Sequence, residues 1–414
     1  MKDPIGGTSR VGSQGRNLED LRRQNLSAVL SLLHANRSLT RADLTHATGL
    51  NRSTVATIVT ELDSLQLVTV SQPLDTKRVG RPSTVVRPSQ RHIAVAVYPD
   101  TDAIAIGVVA LGGEVLREFR FDVESAPTAV HTVNTLQALL RGLELSDGGT
   151  VLGIGIGVPG LVDARDGVVR VAPHLDWHDE PLVDMVATAT GLPTWAANDA
   201  TCAVVAEGRF GQGVDEDNLV YLNGGAGGIG GGAIVGGQLL SGVNGYSGEL
   251  GHMLVNSDGV HCHCGAVGCL ETEVNRHDLL RVVGLADAEA GLLEQRLRDA
   301  YGTDPAVTAA VDRQLDFLGV GLRNIVNIFN PGAIVLGGFL AAVRNVTHNR
   351  LQEAVERAAL AGPSSEVRIV SSSLDDNVLI GAGELVFRRI LRDPASVSTA
   401  VSASDIDAQR MAAS

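Results

Sequence analysis

Lysine is almost missing from this 414-residue chain. It stands only at Lys2 and Lys77, and arginine carries the rest of the positive charge. We read that bias as GC-rich coding, so no arginine counts as chosen on its type alone. Long apolar runs are also missing: nothing approaches the roughly 18 residues a membrane helix needs, and glycine or charge breaks the most apolar stretches. The first residues, Met1 to Gly15, hold no apolar segment of the secretory kind. The protein is therefore expected to be cytoplasmic, with no membrane partner. Cysteine is scarce, at Cys202, Cys262, Cys264 and Cys269. Three of the four within eight residues point to metal rather than to disulfides in a reducing compartment.

What is present suggests two or three domains with real cores, since the chain is long and 44% of it is hydrophobic. The net charge of −14 hides a division. Residues 1–91 hold 13 Lys and Arg against 7 Asp and Glu, and the remainder holds 20 against 40. A nucleic acid could favour only the basic front.

That front patterns as a helix-turn-helix. Leu18, Leu21, Leu26, Val29, Leu30 and Leu33 form a stripe at helical spacing over about Asn17 to Ala35. Thr40 can cap a short helix from Arg41 to Thr48, which Gly49 ends. Asn51 or Ser53 opens a third helix to about Leu65, with Val55, Ile58, Val59, Leu62 and Leu65 inward. Short β runs at Leu67–Val70 and Thr84–Val86 flank a turn-rich stretch and form a wing. Asn51, Arg52, Ser53, Thr54 and Thr57 then lie at the start and on the exposed face of the recognition helix, where side chains reach base edges. Thr40 and Arg41 fall where phosphate contacts are usual. Arg81, in Gly80-Arg81-Pro82, fits insertion into a narrow minor groove, although an ordinary solvated turn also explains it.

From Arg91 the pattern becomes strands alternating with helices. Strands are expected at 92–98, 103–110, 114–120, 151–157, 193–197, 218–223, 232–236, 333–337 and 367–371. Helices are expected at 127–143, 199–209, 274–283, 287–300, 304–329, 345–361 and 378–392. Two α/β lobes flanking a cleft fit that order.

The sharpest local signal is His252 followed by Cys262, Cys264 and Cys269. One imidazole and three thiolates suit a closed tetrahedral site, so one structural zinc per chain is the expected cofactor. His261 and His263 are rival ligands. Alternating cysteines converge more readily on an extended loop, and the plainer alternative is buried cysteines in a tight turn.

Gly248-Glu249-Leu250-Gly251-His252 with Cys262-x-Cys264-Gly265-x-x-Gly268-Cys269-Leu270-Glu271 resembles the pattern of the ROK (repressor, open reading frame, kinase) family. So do Gly157-Val158-Pro159-Gly160-Leu161-Val162-Asp163, Asn198-Asp199-Ala200 and Asn330-Pro331-Gly332-Ala333-Ile334-Val335-Leu336-Gly337-Gly338. The resemblance implies an actin-like body, of the ribonuclease H-like sugar kinase type, preceded by a winged helix-turn-helix. It places a small sugar against Asn198, Asp199, Glu249, His252 and Glu271, with Asp199 at the position of the kinase general base. Helix capping alone would also explain Asn198-Asp199.

One half of a kinase site departs from that pattern. Kinase members carry Asp-x-Gly-Gly-Thr after the first strand, whereas here stands Tyr98-Pro99-Asp100-Thr101-Asp102. The glycines that let backbone N–H groups approach phosphates are gone, proline has no N–H, and two carboxylates would repel a triphosphate. The later run Gly224-Gly225-Ala226-Gly227-Gly228-Ile229-Gly230-Gly231-Gly232 lacks the family's hydroxyl-bearing residue. ATP turnover is not expected.

The reading is thus a sugar-responsive regulator, a repressor that binds a double-stranded DNA operator as a homo-oligomer, dimer or tetramer. Its alternative is an ATP-dependent sugar kinase with an added DNA-binding domain, and a second rival is a body that binds a protein. The divisions expected are a winged helix over 1–88, a first lobe over 89–198 and a second lobe with the zinc loop over 199–377. A C-terminal helix over 378–392 packs back on the first lobe, and a flexible tail follows over 393–414.

Overall fold

The computed structural model describes residues 18–71, 84–143, 149–360, 362 and 366–399. They divide into two compact units, one reaching to Pro88 and taking in Arg389–Thr399, the other covering Ser89–Arg388.

The first unit begins with α1 (Leu18–Asn36), β1 (Leu39–Thr40), α2 (Arg41–Thr48), α3 (Arg52–Ser64), β2 (Val68–Ser71) and β3 (Val85–Pro88). Thr40 and Asp43 close a reciprocal capping box that starts α2, and Gly49, in the left-handed region at φ 68°, ends it. Asn51 accepts from Thr54 N and so starts α3. Those signals set the turn between the two helices. Leu26, Val29, Leu30 and Leu33 of α1, Leu44 of α2 and Val55, Ile58, Val59 and Leu62 of α3 are all buried, with α1 packed on both α2 and α3. The strands pair antiparallel in the order β1-β3-β2, with Val70 opposite Val86. This is a winged helix-turn-helix. Arg81, with the wing tip around it, lies outside the described residues.

The second unit is α/β. Its first half contains β4 (His92–Pro99), β5 (Ala103–Ala110), β6 (Glu114–Asp122), α4 (Ala129–Gly142) and β7 (Thr150–Val158). There follow β8 (Leu161–Val162), β9 (Val169–Ala172), a 3-10 turn Pro173–Leu175, β10 (Trp177–Glu180), α5 (Leu182–Thr190) and β11 (Thr194–Asn198). The main sheet runs β11-β7-β4-β5-β6, and β8 to β10 form a small separate sheet. β4 and β5 are apolar on both faces because helices or other chain cover both sides, which removes the usual alternation.

The second half contains α6 (Asp199–Phe210), β12 (Leu219–Gly224), β13 (Ile229–Val235), β14 (Gln238–Leu239), a 3-10 turn Leu250–His252, α7 (Leu270–Glu273) and α8 (Arg276–Val282). A 3-10 turn Asp287–Leu292, α9 (Leu293–Ala300), α10 (Pro305–Phe329), β15 (Ala333–Gly337), α11 (Gly338–Thr347), α12 (Arg350–Ala358) and β16 (Arg368–Ser371) follow. Its sheet runs β14-β13-β12-β15-β16. The long helix α13 (Asn377–Arg392) closes the fold, and a 3-10 turn Pro394–Thr399 follows it.

Three stretches differ from expectation. The helix expected at 345–361 is two helices: α11 starts seven residues earlier, directly after β15 at Gly338, and His348, at φ 52°, stops it before α12. The helix expected at 287–300 opens as a 3-10 turn and becomes α-helical only at Leu293. The tail expected from 393 is ordered at least to Thr399. Val397 is buried, and within the first unit Ser27 Oγ donates to Leu391 O at 2.6 Å. Residues 400–414 lie outside the described set.

α13 packs on the first sheet at touching distance. A Cβ built on Gly155 of β7 would stand 1.8 Å from Ala382 O, which is backbone and cannot rotate away. Gly155→Ala should therefore cost about 3 kcal/mol, the upper end of ordinary overpacking. Denaturant unfolding measures it, and a wild-type midpoint would contradict this packing.

Candidate functional site

The two sheets of the second unit present their strand ends to one cavity of about 380 Å³, near the small end of ligand pockets, which run from roughly 300 to 1,000 Å³. Asn198, Asp199, Glu249, His252 and Glu271, named above from separate stretches of sequence, all line it.

Each is placed by local structure. β11 delivers Asn198 to the first turn of α6, where its Oδ1 accepts from Thr201 N at 3.0 Å and its Nδ2 donates to Gly160 O at 3.2 Å. Asn198 is therefore both a helix cap and a cleft residue. Asp199 is 8% exposed, and its Oδ1 accepts from Ala200 N at 2.8 Å. Burial, with the charges of Asp100 and Glu249 adding to it, pushes the Asp199 carboxyl up to about 7. Burial also raises Glu249, with Glu271 contributing.

Glu271 sits on the single turn of α7, its side chain 8% exposed. Its Oε1 accepts from Cys262 Sγ at 3.0 Å and lies 3.4 Å from His252 Nδ1 and 3.3 Å from His263 Nδ1. His252 thus turns Nδ1 toward the cysteines and Nε2 toward Glu249, 3.9 Å away. Cys262 Sγ lies 3.6 Å from that Nδ1, and Cys264 Sγ lies 3.7 Å from Cys269 Sγ. The ligand atoms of His252, Cys262, Cys264 and Cys269 all fall within 4.8 Å of one another, so these four residues could hold a metal ion. Of the rival histidines, His261 takes no part in that set. His263 belongs with His252 and Glu271 in a second, three-residue group.

The loop has its own supports. Glu273 is fully buried, accepts from Val260 N at 2.8 Å and pairs with Arg313 at 2.9 Å. Gly268 has φ 74°, and a Cβ there would stand 1.6 Å from Asn256 O, so only glycine closes this turn.

In the helix-turn-helix, Arg52, Ser53 and Thr57 are exposed and Thr54 is half-buried. Thr40 and Asn51 are engaged as caps, and Thr57 Oγ1 donates back to Ser53 O at 3.1 Å. Arg41 N donates to Thr84 O at 3.1 Å, which ties α2 to the edge of the wing.

Two residues of the altered loop line the cavity, and a further lining residue, His174, was passed over by pattern reasoning. Tyr98 and Asp100 face the cleft with Tyr98 OH donating to Asp100 at 3.1 Å. His174, on the turn after β9, meets His263 edge to face at 5.4 Å between ring centres. His174 carried no sequence signal, because the small sheet that holds it was not expected.

Two five-stranded sheets around a carboxylate-lined cleft, with a cysteine-rich loop on one wall, match the class of two-lobed sugar-kinase-type bodies. The sequence profile of the ROK family matches residues 96–389, and the chain belongs to that family. It is 28% identical to the xylose repressor of Bacillus subtilis (strain 168) over 376 residues, covering 90% of this chain and 97% of that protein. It is 30% identical to a glucokinase of Thermotoga maritima over 302 residues, covering 69% of this chain and 94% of that one. Among solved structures, a ROK family transcriptional regulator described as a homologue of the E. coli MLC protein superposes with a TM-score of 0.70 at 23% identity, covering 90% of this chain and 97% of the other. A ROK family glucokinase from Streptomyces griseus, in complex with glucose and AMPPNP, superposes at 0.61 with 29% identity, covering 71% and 98%.

Proposed function

We propose that the protein is a sugar-responsive, DNA-binding transcriptional regulator, a repressor of carbohydrate uptake or catabolism genes. The observation that carries this reading is a winged helix with an exposed recognition face, in the same chain as a sugar-kinase-type cleft whose first phosphate loop has neither of the kinase glycines. Relatives named xylose repressor match nine-tenths of the chain, whereas those named glucokinase match about two-thirds. Where kinases offer two glycine amides, this chain sets Asp100 and Thr101, with Pro99 just before them. Positioning and charge stabilisation supply nearly all of the catalysis in phosphoryl transfer, so this loss removes most of the means.

In this reading Asn198, Asp199, Glu249, His252 and Glu271 hold the hydroxyls of a small sugar. Asn51, Arg52, Ser53, Thr54 and Thr57 read base edges, while Thr40 and Arg41 fix the helices on phosphates and Arg81 enters the minor groove. Two half-sites require a homo-oligomer, dimer or tetramer, and sugar binding that closes the cleft alters how its heads are presented.

Zinc fits the four-residue cluster. Two sulfurs about 2.3 Å from an ion at the tetrahedral angle lie roughly 3.8 Å apart, close to the 3.7 Å between Cys264 and Cys269. Closed by four protein ligands, one such ion per chain would be structural: it would hold the loop and fix the His252 ring with Nε2 toward the sugar.

One experiment on the full chain tests the proposal. Fluorescence anisotropy with promoter DNA should show tight, strongly salt-dependent binding that changes on adding the sugar found in a thermal-shift screen. A coupled ADP-release assay with the same sugar, ATP and magnesium should stay at background. Turnover near one per second, as in working kinases, would establish the enzyme reading instead.

A further inference from the structure

The charge of the cleft is one-sided. Among the described residues, four carboxylates line it, Asp100, Asp199, Glu249 and Glu271, beside three histidines, His174, His252 and His263, and no lysine or arginine. They come from separate elements: the end of β4, the start of α6, the turn before His252 and α7. No one local constraint therefore explains their meeting. The arginines next to the small sheet do not relieve the imbalance, because Arg165 and Arg170 are both committed to buried Asp163, at 2.6 and 3.3 Å.

Two features that could attract an anion fail to do so here. A glycine-rich turn can cradle phosphate through its amides. In this turn, however, Gly225 N donates to Gly228 O at 2.9 Å, and the Glu271 carboxylate lies against Gly228, 2.4 Å from where a Cβ would stand. The position next to the turn is thus already held by a negative group. The first-turn amides of α6 are likewise engaged by Asp199 and Asn198. A metal in the cysteine cluster would not reverse the sign either, since a divalent ion with three thiolates and a neutral imidazole carries a net charge of −1.

We propose that this cleft takes a sugar in its free, uncharged form and rejects sugar phosphates and sugar acids, with Asp100 and Glu271 as the rejecting groups. The signal the regulator reads is then a sugar before phosphorylation. The reaction class that removes the signal is phosphoryl transfer to that sugar by another enzyme. Carboxylates in a partly enclosed site accept hydrogen bonds from hydroxyls but repel a phosphate dianion, and no lysine or arginine of the described lining compensates. This inference rests on the reading of the cleft as the sugar site.

The test is isothermal titration of the full-length protein with common free aldopentoses, hexoses and N-acetylhexosamines, each beside its phosphate ester and its uronic acid. The expected result is at least one free sugar that binds, with its ester and acid about 100-fold weaker or undetectable. Asp100→Asn should raise the affinity of the ester about tenfold, narrowing the gap. An ester that binds as tightly as its parent sugar overturns the inference while leaving the cleft a sugar site. Failure of every free sugar and every ester to bind overturns the sugar reading itself, a different result from the first.

Discussion

Cys269→Ser should strip the metal from the protein and, with it, most of the affinity for sugar. The side chain is 1% exposed and lies at the junction of two functions. Its sulfur is one of the four candidate ligand atoms, and its backbone is the N-cap of α7, the single turn that carries Glu271. A four-residue helix has almost no stability of its own, because nucleating a turn fixes several residues for one hydrogen bond. The loop from Met253 to Cys269 must therefore be held by its ligands and by Glu273. Serine keeps the shape of cysteine but offers a weakly acidic hydroxyl in place of a thiolate, which zinc accepts poorly. Elemental analysis should fall from about one zinc per chain to near none, and sugar affinity should fall about 100-fold, the upper end of what lost metal-site support costs. Operator binding without sugar should survive, because the helix-turn-helix belongs to the other compact unit. A wild-type protein purified without stoichiometric metal, or a variant that keeps its zinc, would overturn the assignment.

Much of this site could be read before the structure because its chemistry is concentrated in short, unusual words. Cysteines at 262, 264 and 269 with histidine at 252 have few explanations other than a metal, and the glycines among them are the residues the tight turn needs. The helix-turn-helix was legible for another reason. Both of its short helices are started by side-chain caps, at Thr40 and Asn51, and the first is ended by a glycine at positive φ, so their bounds are written locally.

The small sheet of β8 to β10 was not legible. Its strands are two to four residues long, too short for alternation to emerge, and Gly157 to Gly167 read as punctuation. The early start of α11 was hidden because Gly337-Gly338 reads as a stop, while here the pair ends β15 and begins the helix in one step. His174 could not be found because what matters about it is a contact with His263, 89 residues away, and nothing local records that meeting. The charge of the cleft was legible only through the family resemblance, which grouped Asp199, Glu249 and Glu271. Its carboxylates sit in four distant segments, and only the closing of the two sheets makes them neighbours.

Replacing one of those carboxylates should make the protein more stable and less able to sense. Asp199 is buried, with Asp100 and Glu249 as charged neighbours and Tyr98, Tyr221 and Cys202 beside it, and no lysine or arginine among the described residues lines its cleft. Its ordinary value is 3.8 and its value in the folded protein is about 7. A carboxyl so raised contributes its full share to stability below pH 4, and that share is lost as pH rises through 7. Above that point the loss amounts to roughly 4 kcal/mol, at 1.36 kcal/mol for each pH step between the two values. Asparagine at 199 keeps an oxygen to accept from Ala200 N and carries no charge. Asp199→Asn should therefore gain on the order of 2–4 kcal/mol at pH 8, seen as a melting temperature several degrees higher without ligand. The gain should shrink with falling pH and close near pH 4, where the wild-type carboxyl is also neutral. Sugar affinity should move the other way, dropping tenfold or more, because a hydroxyl loses a charged acceptor. Thermal unfolding from pH 4 to 8, with titration of the sugar at pH 8, reads both effects. A variant no more stable than wild type at pH 8, or a gap that ignores pH, would show that Asp199 is compensated in the folded protein. The opposed signs are what distinguish a residue kept for binding from one kept for packing, since loss of a packing residue lowers stability at every pH.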